Sequence, residues 1–333
     1  VARQPAGVPR ELLIRVGAAA LNNTDVNTRT GWYSKSVRGD TASGATDGFG
    51  TNADGDGGWS GTPLSFPRVQ GADCCGEVVA VGEGVAAARI GERVLVRPMQ
   101  PVASDGSGPR LITFGSERDG AFAQYTTVAA EHAIAVRSEL SDVELASFPC
   151  AFSTAEGMTQ RAGLGAERVL VTGASGGVGS AAIQLAKRRG ARVTALSTPA
   201  KAAALGALGA DETLVRDGDF PERTFDVVLD LVGGRRWNDL IGALRNGGRY
   251  VTAGAIAGPI VELDLRTLYL RDLSLFGCTY QPSGVFTDLI GYIEAGEIRP
   301  VLAGTYPLRE LRAAQEVFLS KSHVGKIGIL VAD

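Results

Sequence analysis

Histidine is almost missing from this chain: 333 residues hold two, His132 and His323. Cysteine is scarce too, with Cys74, Cys75, Cys150 and Cys278 scattered and no Cys-x-x-Cys pair. A zinc site of four closely spaced thiolates is excluded by count and spacing, and a disulfide framework is not expected. Few cysteines without pairing fit a reducing compartment, and we expect a cytoplasmic protein. No apolar run approaches the roughly eighteen residues of a membrane span. There is no basic excess either. The net charge is −3 and the pI about 5.6, which leaves no footprint for nucleic acid and no polybasic membrane patch. The first residues carry no apolar signal core and no Met, and we read the start as trimmed.

What is present is globular. Apolar residues make up 44% and charged residues 21%, enough for a packed core, and the length suits two domains. The first third reads as short strands: ELLIRVGAAAL, CGEVVAVGEGV, GERVLVRPM and AFAQYTTVAA. Their close spacing and glycine turns predict an irregular, barrel-like β domain. Residues Ser34 to Pro63 interrupt it with Gly, Asp, Ser and Thr and almost no aliphatics, which predicts a long surface loop. Inside it, NADGDG (Asn52 to Gly57) imitates the opening of a calcium loop. The twelfth position from Asn52, where that loop needs a glutamate, is Pro63, so we read a solvated turn.

From about Ser141 the pattern changes to apolar strands alternating with helices, ending in DLSLFGCTY. Continuous apolar strands separated by helices predict a parallel sheet covered on both faces. Two helical segments then precede a last strand, VGKIGILV, which we expect to return to the first domain. The resulting expectation is a β-rich domain of residues 1–137 and 279–333 and a doubly wound Rossmann domain of residues 138–278.

The most specific motif is VLVTGASGGVGSAAIQLA (Val169 to Ala186). A strand runs into a glycine turn and then a helix. Glycines let the backbone approach a pyrophosphate, and the helix start offers free N–H groups and a positive dipole end. Ser175, Gly176, Gly177 and Val178 are the candidate cradle, although Ser175 replaces the second glycine of the usual spacing. At the end of the second strand, where an NAD site places Asp or Glu on the ribose 2′-hydroxyl, stand Ser197 and Thr198, with Lys201 close by. Hydroxyls and a cation suit a 2′-phosphate, which favours NADPH. Arg216 is a second candidate cation, equally well read as a solvated surface charge. Because ligands sit at the carboxyl ends of parallel strands, Val232 to Gly234, Ala253 to Ala255 and Phe276 to Cys278 are the expected cleft lining. The block of contacts we name from them is Val232, Ala255, Phe276 and Cys278.

These residues resemble the medium-chain dehydrogenase/reductase superfamily and, more narrowly, its zinc-free quinone oxidoreductase branch. ALNNTDVNTRTGWY matches that branch through Asn22, Asp25, Arg29, Gly31 and Tyr33. QGADCCGEVVAVGEGV, GASGGVG and HVGKIGIL match the family's strand pair, glycine turn and closing Gly-Lys strand. The resemblance implies a GroES-like catalytic domain beside the Rossmann domain, and NADPH in the cleft between them. Zinc enzymes of the superfamily have a Cys where Cys150 stands, a second Cys at Asn22 and a His at Ala72. Asn and Ala supply neither thiolate nor imidazole, so we expect no metal and read Cys150 as an unligated buried thiol.

The resemblance further implies Asn22 and Tyr33 as the catalytic donors, Thr154 near the nicotinamide, and Lys326 as a possible cofactor contact, equally well a surface charge. Asp25 is read as a brace of its turn and Arg29 as a structural partner. The implied reaction is hydride transfer to a quinone or an α,β-unsaturated carbonyl, an acceptor that spreads the incoming charge itself. An enoyl-thioester reductase, a zinc alcohol dehydrogenase with displaced ligands and a non-catalytic NADPH-binding protein stay open beside it. A homodimer joined at the edge strand DLSLFGCTY is the assembly that relatives suggest.

Overall fold

The computed structural model describes residues 10–45, 47–50, 55–102 and 110–331. Two sheets organise them. The first is built from β1 (Glu11–Ala20), β2 (Cys75–Val81), β3 (Arg93–Val96), β6 (Tyr125–Ala129) and β7 (Ala133–Ala135) with two late strands, β14 (Leu302–Pro307) and β15 (Lys326–Leu330). Its order is β14-β15-β1-β2-β3-β7, with β6 also on β1. A short hairpin, β4 (Met99–Val102) with β5 (Arg110–Thr113), stands apart. The last strand does return to the first: Ala18, Ala19 and Ala20 pair antiparallel with Leu330, Ile329 and Gly328.

The second sheet has the order β10-β9-β8-β11-β12-β13 and every pairing in it is parallel. Its strands are β8 (Arg168–Val171), β9 (Arg192–Ser197), β10 (Glu212–Val215), β11 (Phe225–Asp230), β12 (Leu244–Thr252) and β13 (Ser274–Gly277). Side chains alternate between two buried faces, as strand geometry requires. Val169, Val171, Val227 and Leu229 enter one core cluster; Leu170, Phe225 and Val228 enter the other. The first face is covered by α3 (Pro149–Arg161), α4 (Gly177–Arg188) and α8 (Ser283–Glu294), the second by α6 (Trp237–Ala243). This is the Rossmann-like doubly wound sheet beside a β-rich GroES-like lobe. β13 lies at the sheet edge, as expected. A division at Cys278 would leave α8 apart from α3, against which it packs Phe286, Leu289, Ile290 and Ile293.

Shorter helices complete the chain: α1 (Asn23–Thr30), α2 (Asp142–Leu145), α5 (Ala202–Ala207), α7 (Leu265–Leu270) and α9 (Leu311–Leu319). Helix α1 was not legible as a helix, since NTDVNTRT has almost no apolar stripe. It is held by its ends: Asp25 Oδ2 accepts the Asn22 N–H at 2.8 Å, and Gly31 closes it with φ +77°. The described part of the long loop contains no strand or helix, but it is tethered. Trp32 Nε1 donates to Gly39 O, Phe49 N to Thr30 O, and Thr41 N to Ile256 O on the parallel-sheet lobe. Half of the NADGDG motif, Asn52 to Asp54, lies outside the described residues; Asp56 in it accepts the Lys35 N–H at 2.9 Å.

Candidate active site

β8 ends at Val171 and the chain turns through Gly173, at φ +56°, into α4. A Cβ on Gly179 would sit 2.2 Å from Gly173 O, and one on Gly177 would sit 2.6 Å from Lys326 Cδ. The first clash is with backbone and admits only glycine; the second would require the Lys326 side chain to shift. Gly176 is the N-cap, and no side chain caps the helix start. An uncapped helix N-terminus reached through bare backbone fits a phosphate group. The neighbouring turn after β11 is shaped by Asp230, fully buried. It accepts Thr172 Oγ1 at 2.5 Å, Val232 N at 2.9 Å and Gly233 N at 3.1 Å, and also the Tyr250 hydroxyl. Ala255 and Phe276 line a 270 Å³ cavity with Gly233, Tyr250 and Trp237, at the carboxyl end of β12 and β13. Cys278 is buried, and burial pushes its thiol pKa up to about 11.

At the end of β9, Ser197 is buried and its carbonyl accepts Arg216 N at 2.9 Å. Lys201 does not extend outward. Its Nζ folds back to Ser175 Oγ (3.3 Å) and to the carbonyls of Lys321 (2.8 Å) and His323 (2.9 Å). Arg216 is exposed, and its nearest carboxylate is Asp217 at 3.8 Å. Desolvation, then the charge of Arg216, lowers the Lys201 pKa.

Between the lobes lies a closed polar network. Asp73, fully buried, accepts the Cys150 N–H of α3 on Oδ1 (2.7 Å), and on Oδ2 it accepts Asn22 Nδ2 and Lys326 Nζ (both 2.8 Å). Lys326 Nζ also donates to Asn22 Oδ1 (2.5 Å) and Leu21 O (2.7 Å). A lysine on one side and a carboxylate on the other fix which way the Asn22 amide points. Lys326 is therefore no surface charge, and its three donors are filled by protein. The second Asn22 N–H donates to Ala20 O at 3.3 Å. Both amide donors of Asn22 are thus engaged inside the protein, unlike the free donor that the sequence suggested. Asp25 braces its turn as expected, accepting Asn22 N and, at 3.1 Å, Ala72 N. Burial nonetheless pushes its pKa up to about 7, against the two N–H bonds that favour its charge.

Tyr33 packs edge-on to Trp32 and its hydroxyl donates to Thr24 Oγ1 at 3.3 Å. Burial raises its pKa to about 12, so the phenol keeps its proton at neutral pH. Thr154 spends its hydroxyl proton on Cys150 O, one helical turn back, at 2.7 Å. Arg29 Nη1 bonds Gln315 Oε1 at 2.9 Å; the partner is an amide and not a carboxylate. Burial, then the charge of Asp73, raises the Cys150 thiol pKa far above the usual range, so a thiolate is disfavoured there. Cys74 and Cys75 point into different core clusters, on opposite faces.

The donor set does not fit zinc. Asn22 and Ala72 stand where thiolate and imidazole would be needed, an ammonium already neutralises Asp73, and among the described residues no three His, Cys, Asp or Glu groups form a metal cluster. The residues that sequence reasoning missed are Asp73 as the hub, Asp230 as the turn former and Lys321 beside Lys201. Asp73 carried a signal in QGADCCG; its role depends on a lysine 253 positions away.

Residues 8–138 match the family described as alcohol dehydrogenase GroES-like domain, and residues 177–295 the one described as zinc-binding dehydrogenase. An acryloyl-coenzyme A reductase of Metallosphaera sedula is 32% identical over 79% of this chain and 83% of its own. An NADPH-dependent alkenal/one oxidoreductase, chloroplastic, of Arabidopsis thaliana is 28% identical over 95% and 71%. The solved structure of a provisionally named alcohol dehydrogenase from Sinorhizobium meliloti 1021 is 45% identical, covers 98% of this chain and 90% of its own, and superposes with a TM-score of 0.85.

Proposed function

The chain belongs to the medium-chain dehydrogenase/reductase superfamily and is an oxidoreductase, and from that premise we propose a zinc-independent, NADPH-dependent reductase of quinones and α,β-unsaturated carbonyls. The observation that carries this reading is the ammonium of Lys326 on Asp73 and Asn22, in the place where a metal would have to be held. With no Lewis acid to stabilise an alkoxide, an isolated ketone or secondary alcohol is a poor reactant. An acceptor whose carbonyl is conjugated to the reacting carbon delocalises the charge itself. Hydrogen bonds to its oxygen and exclusion of water then suffice.

When bound, NADPH supplies the hydride. The residues that would hold it are the turn Ser175–Gly176–Gly177–Val178, with Ser197, Lys201 and Arg216 toward the 2′-phosphate. Val232, Ala255, Phe276, Cys278 and Thr154 lie toward the nicotinamide. Tyr33 is the donor to the acceptor oxygen, swinging from Thr24. Asn22 and Lys326 act one step back: they hold Asp73, which caps α3 and so sets where Thr154 stands.

The relatives named for acryloyl-CoA and alkenal/one reduction support a conjugated acceptor and leave its size to experiment. The deciding assay follows NADPH oxidation with a benzoquinone, a simple enone, a 2-enoyl thioester and a secondary ketone, alongside zinc analysis of the purified protein. Turnover of the first three classes at the expense of the ketone, without stoichiometric zinc, is the expected result. Preference for the ketone with about one zinc per chain would reverse the reading, and tight NADPH binding with no turnover of any acceptor would favour a sensing protein.

We also propose a homodimer. β13 leaves an unpaired edge, and next to it Ile260, Leu265, Tyr269 and Leu270 are exposed, an apolar group that a second copy would cover.

A further inference from the structure

Where the segment before β15 crosses the glycine turn, cations gather, and among the described residues no carboxylate pairs with Lys201 or Lys321. Gly325 N donates to Ser175 O at 2.8 Å, and Gly325 and Gly176 form a β-bridge, so this segment of the β-rich lobe lies directly on the turn of the other lobe. From it, Lys321 reaches Asn23 Oδ1 at the start of α1 (2.8 Å), with its ammonium 3.7 Å from the centroid of the Phe318 ring. Its backbone has φ +53°, uncommon for a residue with a side chain, and its carbonyl receives Lys201 Nζ. Lys201 comes from the opposite lobe and has only neutral acceptors. His323 lies between them with Nδ1 buried and without a partner, and desolvation and the surrounding lysines lower its pKa. Among the described residues no carboxylate comes within ion-pair distance of Lys201 or Lys321, whereas Lys326 nearby is neutralised by Asp73.

Crowding ammonium groups together without an anion costs free energy that a folded chain ordinarily avoids by pairing them. The arrangement is explained if the anion comes with the ligand. We propose that Lys321 is a pyrophosphate ligand of the bound dinucleotide, closing from the β-rich lobe the site that the glycine turn opens from the other. The proposal rests on the reading that a dinucleotide binds at that turn. By its side chain Lys321 is directed to Asn23 at the start of α1, and it meets Lys201, from the β9 end where a 2′-phosphate would lie, only through its carbonyl. It therefore serves the part of the ligand that NADPH and NADH share, while Lys201 serves both phosphates.

Desolvation lowers the Lys321 pKa to about 8. The titratable groups that meet it are Lys201 from the parallel-sheet lobe, whose Nζ donates to its carbonyl, and His323 from its own segment, whose pKa Lys321 helps to lower; Asn23 and Phe318 are uncharged. Since only the protonated amine attracts phosphate, affinity is expected to decline as pH rises above about 8.

The test is direct binding, by calorimetry, of NADPH, NADH and inorganic pyrophosphate to the wild type, Lys321→Met and Lys321→Arg. Loss of one charge-assisted contact weakens binding by roughly 10-fold to 100-fold. The expected result is that loss for all three ligands in Lys321→Met, near-wild-type affinity in Lys321→Arg, and a decline above about pH 8 in the wild type that the arginine variant lacks, because Arg keeps its charge. Should Lys321→Met fail to fold, the flat pH profile of Lys321→Arg still decides. Unchanged affinity in Lys321→Met, or a loss confined to NADPH, would overturn the assignment while leaving the dinucleotide reading intact. A wild type that binds neither dinucleotide would overturn both.

Discussion

Asp73 and Lys326 form a buried ion pair between residues 253 positions apart, and each leaves the other stranded when removed. Lys326→Met would place an unpaired carboxylate in the interior and is expected to destabilise the protein by about 3–5 kcal/mol, read as a lower urea midpoint. Lys326→Arg should recover part of that loss. Asp25 gives a separate, pH-dependent signature. Its folded pKa of about 7 lies above the value of 3.8 in an exposed chain. Between those values the native state binds the extra proton, so stability from this residue falls as pH rises from about 4 to 7 and is level above. The urea midpoint of the wild type is expected to follow that slope, and Asp25→Asn, which does not titrate, to flatten it. Tyr33→Phe deletes the proposed donor. It is expected to lower kcat/KM for an enone by roughly 100-fold with dinucleotide affinity unchanged; an unaltered kcat/KM would remove Tyr33 from the chemistry.

At the scale of elements, the glycine turn is rigid because backbone touches backbone. Gly179→Ala would drive a methyl to 2.2 Å from Gly173 O. We expect a loss of about 1–3 kcal/mol by thermal or urea unfolding and weakened dinucleotide binding. This turn and the buried strands around it were legible in the sequence, since continuous apolar runs between helices leave few other folds. Other elements were not, three of them for clear physical reasons. Helix α1 is polar and depends on its caps, α7 is exposed along its apolar side chains, and β14 (LAGTYP) is too mixed to declare itself before β15 pairs with it. The site was legible in part. Ser175 to Val178 and Tyr33 lie on recognisable stretches, whereas Asn22 turned out to be spoken for by Asp73 and Lys326. That outcome is set by contacts between residues hundreds of positions apart, which no local pattern records.

For the molecule as a whole, the exposed side chains of α7 beside the β13 edge make the proposed dimer testable. Leu270→Glu is expected to convert the protein to a monomer in sedimentation; a wild type that is itself monomeric would reject the assembly. The Thr41–Ile256 hydrogen bond ties the described loop around Thr41 to the parallel-sheet lobe. The placement of β15 has a consequence for biosynthesis. It is the last described strand, yet it seats beside β1 and delivers the cation that Asp73 requires. A ribosome-bound chain that has already emerged through its nucleotide-binding half still holds β1 with a bare flank and Asp73 without its counter-charge. Nascent protein should therefore stay unable to capture a dinucleotide, and prone to chaperone capture, until β15 leaves the exit tunnel.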